Sequence, residues 1–483
     1  MAINLAFWRR KDTAVDVPMP QISNLSYLDL ERARGYKKYW DFYMGKQFQY
    51  KRLPGQVQVV LNYVAALVDK SITFLFGTPF RFDTDNEEVR VVLEEVWKQN
   101  NIGLKGIEIG QMGSVTGDCW IKPVFDEETQ QMRILVLNSS YVYPEFDPHD
   151  YAKIRKLNIV YPIGKAEDLK FYKEVITPEL IQEFEGNDEV TDQRRENILG
   201  EIGVVHISNM PVAGQFWGKS DMADTLDLQL EFNEKTTDIS QTINYGSAPI
   251  TLIFGAKAKQ LIKGAQRVWS GLPKDARVEN LSSVGDMAAS LQYLQILKEA
   301  FHELMGVPES ALGKFQPVSN TSSTAMHMQY LPLMEKTNVK RLTYGEGLKE
   351  VNRLILKILT IKMSDVQGIK ELPVMQVPVI FAEPLPKDKL IERQIIAQDM
   401  SLGIESKEGA LRRLGKNNDE IVEILTQVQE DQANQMAQMY AANPAEADSQ
   451  VGTGAEPANP VASPAKKKVK KVNSRVLSQE DMK

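Results

Sequence analysis

The stretch KSDMADTLDLQLEFNEKTTDISQTINYGS, residues 219–247, decides how the rest of the chain is read. Its acids Asp224, Asp227, Glu231, Glu234 and Asp238 stand 3, 4, 3 and 4 residues apart. On a helix spanning about 222–245 that spacing puts all five carboxylates on one face. Like charges stacked this way destabilise an isolated helix by roughly 0.2–0.5 kcal/mol per pair, so local propensity does not account for the stripe. Beside it, Leu228, Phe232, Ile239 and Ile243 form an apolar stripe. The helix therefore has one side to pack and one charged side.

Downstream, an irregular insert over 248–283 carries Lys257, Lys259, Lys263, Arg267, Lys274 and Arg277 against only Asp275 and Glu279, with Trp269 among the basic residues. Basic charge with an aromatic suits nucleic acid, and equally a protein-docking surface, where Trp and Arg are frequent anchors. A second helix over 286–305 sets Leu291, Leu294, Leu297, Phe301 and Leu304 on one face, ready to pair antiparallel with the first. There follows a long polar loop, GVPESALGKFQPVSNTSS (306–323). A loop of this length inside a helical region signals function. Lys314, Gln316, Asn320, Thr321 and Ser322, with Phe315 among them, offer hydrogen bonds and a single charge. A long helix opens near Ser323, with a kink expected at Pro332 and weak points at Gly345 and Gly347.

Upstream, Tyr36, Tyr39, Trp40 and Tyr43 recur at helical spacing and predict a short helix ended by Gly45. Val57, Val60, Leu61, Val64, Leu67, Val68, Ile72 and Leu75 predict a second helix, stopped by Gly77 and Pro79. Two more helices are expected over 87–116. The period then changes to a hairpin over 119–125 and 132–137 around a polar DEETQQ turn, with further strands at 154–161 and 202–207. Residues 50–210 thus read as an α+β domain within a predominantly helical chain.

The composition narrows the function. With 43% apolar and 25% charged residues most of the chain folds. The net charge is −7, and the last 43 residues carry seven Lys/Arg against five Asp/Glu, so the body is more acidic still. Such a body argues against a general DNA-gripping surface, which works by neutralising phosphates. Cys119 is the single cysteine and excludes an intrachain disulfide or a thiolate metal cluster. The N-terminal charges follow the apolar run instead of preceding it, and no run reaches the length of a membrane span, so a soluble product is expected.

An enzymatic reading finds little support in the residues. His149, His206, His302 and His327 share no metal-ligand spacing and read as packed or surface side chains, and no acid–base pair or nucleophile elbow stands out. No catalytic site, metal or cofactor is expected. The one tempting motif is Gly218-Lys219-Ser220, between a strand-like run and a helix. A phosphate-binding loop needs glycine at 213, where Ala213 stands, and Phe216 and Trp217 would crowd it. A P-loop-like packaging ATPase built on the 214–220 turn is the alternative reading. A turn with Ser220 or Asp221 as helix N-cap is the simpler one.

WGKSDMADTLDLQLEFNEKTTDISQTINYGSAPITLIFG (217–255), LQYLQILKEAFHELMGVPESALG (291–313), NYVAALVDKSITFLFGTPFRF (62–82) and LIERQIIAQDMSLGIESKEGALRRLG (390–415) stand in a fixed order. As an ordered set they resemble the portal proteins of tailed double-stranded DNA bacteriophages. The resemblance implies a portal-type fold assembled as a ring of about twelve copies at one capsid vertex. It implies no enzyme activity. It also implies the partners: the terminase large subunit, major capsid and scaffold proteins, a head-completion adaptor, and double-stranded DNA passing through the channel. Assembly would take place in the host bacterial cytoplasm.

By the same resemblance, 1–24 is an N-terminal arm, 25–218 an α+β wing, 219–247 and 286–305 the stem helices, 248–285 the clip and 306–322 the tunnel loop facing DNA. Residues 323–385 form the long kinked helix and a return strand (VMQVPVIFAEP) to the wing, and 386–440 a helical crown, where Ser406 is expected to cap a helix. From 441 the composition shifts to Ala, Pro, Gly and Ser and then AKKKVKKVNSR, a disordered tail with a basic cluster. The stem acids would face either the channel or a neighbouring subunit.

Overall fold

The structure is a computed structural model that describes residues 27–47, 58–164, 170–185, 188–189, 194–247, 250–254, 275, 277–281, 287–314, 323–363, 373–385, 389–414 and 418–442. It divides into two units, Met1–Pro386 and Lys387–Lys483. In the first, helices α1 (Tyr27–Tyr43), α2 (Tyr63–Phe76), α3 (Glu87–Gln99) and α4 (Ile102–Thr116), with strand β1 (Arg81–Phe82) after α2, precede a run of strands. These are β2 (Asp118–Asp126), β3 (Gln131–Leu137), β4 (Val142–Asp147), β5 (Asp150–Ile163), β6 (Lys170–Ile176), β7 (Leu180–Glu185), β8 (Asp188–Glu189), β9 (Arg195–Glu196) and β10 (Val205–Ser208). Next come α5 (Leu226–Ser247), β11 (Ile250–Phe254), β12 (Arg277–Leu281), α6 (Met287–Met305), α7 (Ser323–Met363) and β13 (Val379–Ile380).

Two antiparallel sheets form the β layer, one ordered β10-β2-β3 and one β4-β5-β6-β7-β8 with β9 beside β7. The β2–β3 hairpin turns on the polar DEETQQ residues as expected. Glu174 of β6, almost wholly buried, takes both its oxygens to Lys122 Nζ of β2 at 2.6 Å and so ties one sheet to the other. Between them Trp120, Val142, Leu157, Ile159, Ile176 and Val204 make an apolar cluster, against which Phe216 and Trp217 pack.

The main core surrounds the C-terminal half of α7. Val351, Leu354, Ile355, Leu356, Ile358 and Leu359 are buried around much of the helix circumference, as befits an element covered on several sides. They meet Val89, Leu93, Val96 and Trp97 of α3 and Ile207 of β10. Asn352, fully buried in that half, accepts from Trp97 Nε1 at 2.9 Å and donates to the Val377 carbonyl at 2.9 Å, which holds the returning chain beside β1. A second cluster joins α1, α2, α5, α6 and the first half of α7.

Three expectations are corrected. The second helix begins at Tyr63, not Val57; Val60 and Leu61 lie in extended chain and are exposed. The first stem helix begins at Leu226, and residues 221–225 form turns in which the Ser220 hydroxyl accepts from Met222 N at 3.1 Å. The described ends of the irregular insert are paired strands, β11 with β12. Pro332 lies inside α7, and Gly347 is there because a Cβ would meet the Ile207 side chain.

The second unit consists of α8 (Lys389–Ser401), α9 (Lys407–Arg413) and α10 (Asn418–Ala442). Ser406 caps α9, its hydroxyl accepting from Gly409 N at 3.0 Å. Among the described residues no helix is long and apolar enough to cross a membrane. The expected N-terminal arm and tail lie outside the described residues, apart from Ala441 and Ala442 at the end of α10.

Candidate functional site

Helix α5 has three distinct sides. Phe232 is buried towards α6, its ring edge-on to Phe301 at 5.7 Å, and Tyr63 of α2 stacks on the same Phe301. On a second side Gln229, Asn233 and Thr237, four residues apart, are buried and form a ladder to extended chain. Gln229 Oε1 accepts from Val64 N at 3.2 Å, Asn233 Oδ1 from Leu61 N at 3.0 Å and Thr237 Oγ1 from Val59 N at 3.1 Å. Gln229 Nε2 also donates to the Leu61 carbonyl, and Asn233 Nδ2 to Gln47 Oε1. These side chains satisfy backbone groups of the non-helical segment before α2 and a first-turn amide of α2, which have no partner within that helix.

The third side carries four acids of the stripe, Asp227, Glu231, Glu234 and Asp238, with Asp224 in the turns just before the helix. Asp224, Asp227, Glu234 and Asp238 are exposed and Glu231 is half-exposed. The repulsion along it is relieved from within the chain. Lys235 lies 3.7 Å from both Glu231 and Asp238, and Lys219 pairs with Asp224 at 2.5 Å. Glu231, with Asp238 and Glu234, raises the Lys235 ammonium above its ordinary range. Tyr293 of α6 donates to Glu231 at 3.4 Å. Exposed apolar residues on these two helices are Ile243 at the end of α5, and Leu291, Tyr293, Ile296 and Leu304 on α6.

The root of α5 is pinned to the body by two buried carboxylates. Asp118 Oδ1 accepts from Gly218 N at 2.9 Å and pairs with His206 Nε2 at 2.8 Å, while its Oδ2 accepts from Tyr36 Oη at 2.5 Å. Lys219 N donates to the Met210 carbonyl and Asp221 N to the Ser114 carbonyl. The amides of Gly218, Lys219 and Asp221 are thus bonded inside the fold. Gly218 is glycine because a Cβ would overlap the Gly117 carbonyl oxygen. The 214–220 turn gives the ATPase alternative no phosphate cradle.

Asp221 is the second carboxylate. It lies 2.5 Å from Lys340 Nζ and 3.4 Å from Lys336 Nζ and accepts from Asn209 Nδ2 at 3.0 Å. Lys340 completes its donors on Ser71 and Ser114, so α2, α4 and α7 all meet at the turns before α5. Burial pushes the Asp221 carboxyl up, but Lys340 and then Lys336 outweigh it and hold it well below the usual carboxylate range. Burial draws Lys340 down to about 8 against the pull of Asp221.

Beyond α6 the chain makes a single 3₁₀ turn, Glu309–Leu312, closed by Gly313 in the left-handed region. Glu309 Oε1 is shared. Lys298 Nζ sits on it, Lys314 Nζ lies 3.6 Å away and His302 Nε2 3.8 Å away. Of the predicted loop residues Lys314 is placed here, next to Glu309. Phe315, Gln316, Asn320, Thr321 and Ser322 lie outside the described residues, as do Lys257, Lys259, Lys263, Arg267 and Trp269 of the predicted docking surface.

Reading the sequence missed the Gln229–Asn233–Thr237 ladder, Asp118, Lys340 and Glu309. The ladder had a faint signal, amide and hydroxyl side chains at helical spacing opposite the acids. His206 is packed as expected, stacked on Phe216 at 4.4 Å, and His302 is buried; His149 is exposed. No curated protein matches the chain. The sequence model described as phage portal protein, SPP1 Gp6-like, matches residues 27–436, and the chain belongs to the phage portal protein family.

Proposed function

We propose that this chain assembles as a closed ring of about twelve copies at one vertex of a phage capsid. Its channel carries double-stranded DNA during packaging and ejection. Its outer surfaces dock the terminase large subunit, major capsid and scaffold proteins, and the head-completion adaptor. In this reading α5 and α6 are the stem, 306–322 is the tunnel loop, the unit from Lys387 is the crown, and the insert between the stem helices is the clip. The protein acts as a structural conduit and not as an enzyme.

The observation that carries the reading, beside family membership, is the three-sided α5. Subunit interfaces bury apolar residues at their centre, and the two helices leave Ile243, Leu291, Ile296 and Leu304 exposed. A face of carboxylates suits water and a polyanion that must slide past, since each cation placed there would neutralise a phosphate and tighten the grip. We therefore orient the acidic stripe towards the channel and the apolar residues towards neighbouring subunits.

Phage carrying Asp227→Lys and Glu234→Lys test this orientation. Rings should still form while the DNA packaged per head falls, and more so at low salt. Unchanged packaging, or loss of ring assembly as the main defect, would move the stripe to the subunit interface.

A further inference from the structure

At the root of the loop read as DNA-facing, one carboxylate serves three basic side chains unequally. Lys298 is largely shielded, with its side chain 11% exposed, and its ammonium lies near the Tyr63 ring as well as on Glu309. His302 is buried with Nδ1 donating to the Val307 carbonyl at 2.7 Å, and its Nε2 has no hydrogen-bond partner. Lys314 is 62% exposed and reaches Glu309 only at 3.6 Å.

Lys298 is a fixed partner and Lys314 an exchangeable one. Losing Lys314 does not orphan Glu309, because Lys298 remains on the same oxygen, and an exposed pair of this kind is held weakly. The cluster has two lysines to one carboxylate, so it can give up a cation and stay balanced. Lys298 draws the Glu309 carboxyl below its ordinary value, which keeps that carboxylate charged as Lys314 comes and goes.

We propose that Glu309 is a built-in competitor for Lys314: it holds the lysine at the loop root and yields it to a passing DNA phosphate, so the loop's grip on the duplex is weakened by design. The exchange needs no bond making. A phosphate oxygen replaces a carboxylate oxygen as the partner of the Lys314 ammonium. The proposal rests on the reading of 306–322 as the DNA-facing loop and adds a restraint on its one described cation.

The test measures binding of a duplex DNA fragment to the purified full-length protein as a function of salt. Lys314→Ala should weaken binding and make log K less steep in log salt, by about 0.9 for each phosphate no longer neutralised. Glu309→Gln should tighten binding about threefold or more at low salt and steepen the slope. In the Lys314→Ala background, Glu309→Gln should change little. An equal gain in that background would mean that the carboxylate acts as general repulsion and would overturn the proposal, as would Glu309→Gln without effect where Lys314→Ala still weakens binding. If Lys314→Ala itself does nothing, the DNA-facing reading of the loop falls, and the restraint with it. Should Glu309→Gln not fold, as judged by its particle size, Glu309→Asp keeps the charge on Lys298 but withdraws it from Lys314 and should tighten binding in the same direction.

Discussion

Lys340 Nζ and Asp221 Oδ2 are 2.5 Å apart, and both side chains are wholly shielded from solvent. They join the long helix α7 to the turns that lead into α5, so the start of α5 is anchored by a buried ion pair. Removing Lys340 leaves the buried carboxylate to Lys336 alone, 3.4 Å away, and so poorly compensated. Lys340→Met should therefore cost about 3–5 kcal/mol, read as a lower urea midpoint, whereas adding Asp221→Asn to it should recover much of the loss.

The same pair sets an acid limit. The Asp221 carboxyl is held below its unfolded value, so between the two values the unfolded chain binds the extra proton and acid favours unfolding. Its contribution is present above the unfolded value of about 3.9 and is lost as pH falls below that towards the folded value. The wild-type urea midpoint should drop more steeply below about pH 4 than that of the Asp221→Asn, Lys340→Met double variant. Parallel curves would remove Asp221 from the account.

The ladder on α5 makes another prediction. Asn233→Leu leaves the Leu61 amide without its acceptor and the Gln47 side-chain carbonyl without its donor. A buried polar group left unpaired costs about 1–3 kcal/mol. Amide hydrogen exchange should speed up over 58–62 first, because that stretch is held by side chains and not by a strand or helix of its own.

Elements whose cause is local were legible in the sequence. The β2–β3 hairpin followed from alternation around a polar turn, the Ser406 cap from a hydroxyl before a helical period, and α3 and α4 from their spacing. Features whose cause lies far along the chain were not. Gly218 looked like part of a phosphate loop, yet it is required by the carbonyl of Gly117, about a hundred residues away. Gln229, Asn233 and Thr237 carry no hydropathy signal, and their meaning depends on backbone more than 160 residues upstream. The acidic stripe was visible at once. Lys235, which lies within it and relieves it, is a single cation among five acids, and its role appears only when its distances to Glu231 and Asp238 are known.

Whether this chain builds a DNA channel from repeated copies of its stem is tested most directly by electron microscopy of the purified full-length protein. Closed rings of about twelve copies are predicted, with α5 turned to a central opening wide enough for duplex DNA. A monomer at all concentrations, or an assembly with no axial opening, would contradict the proposed channel.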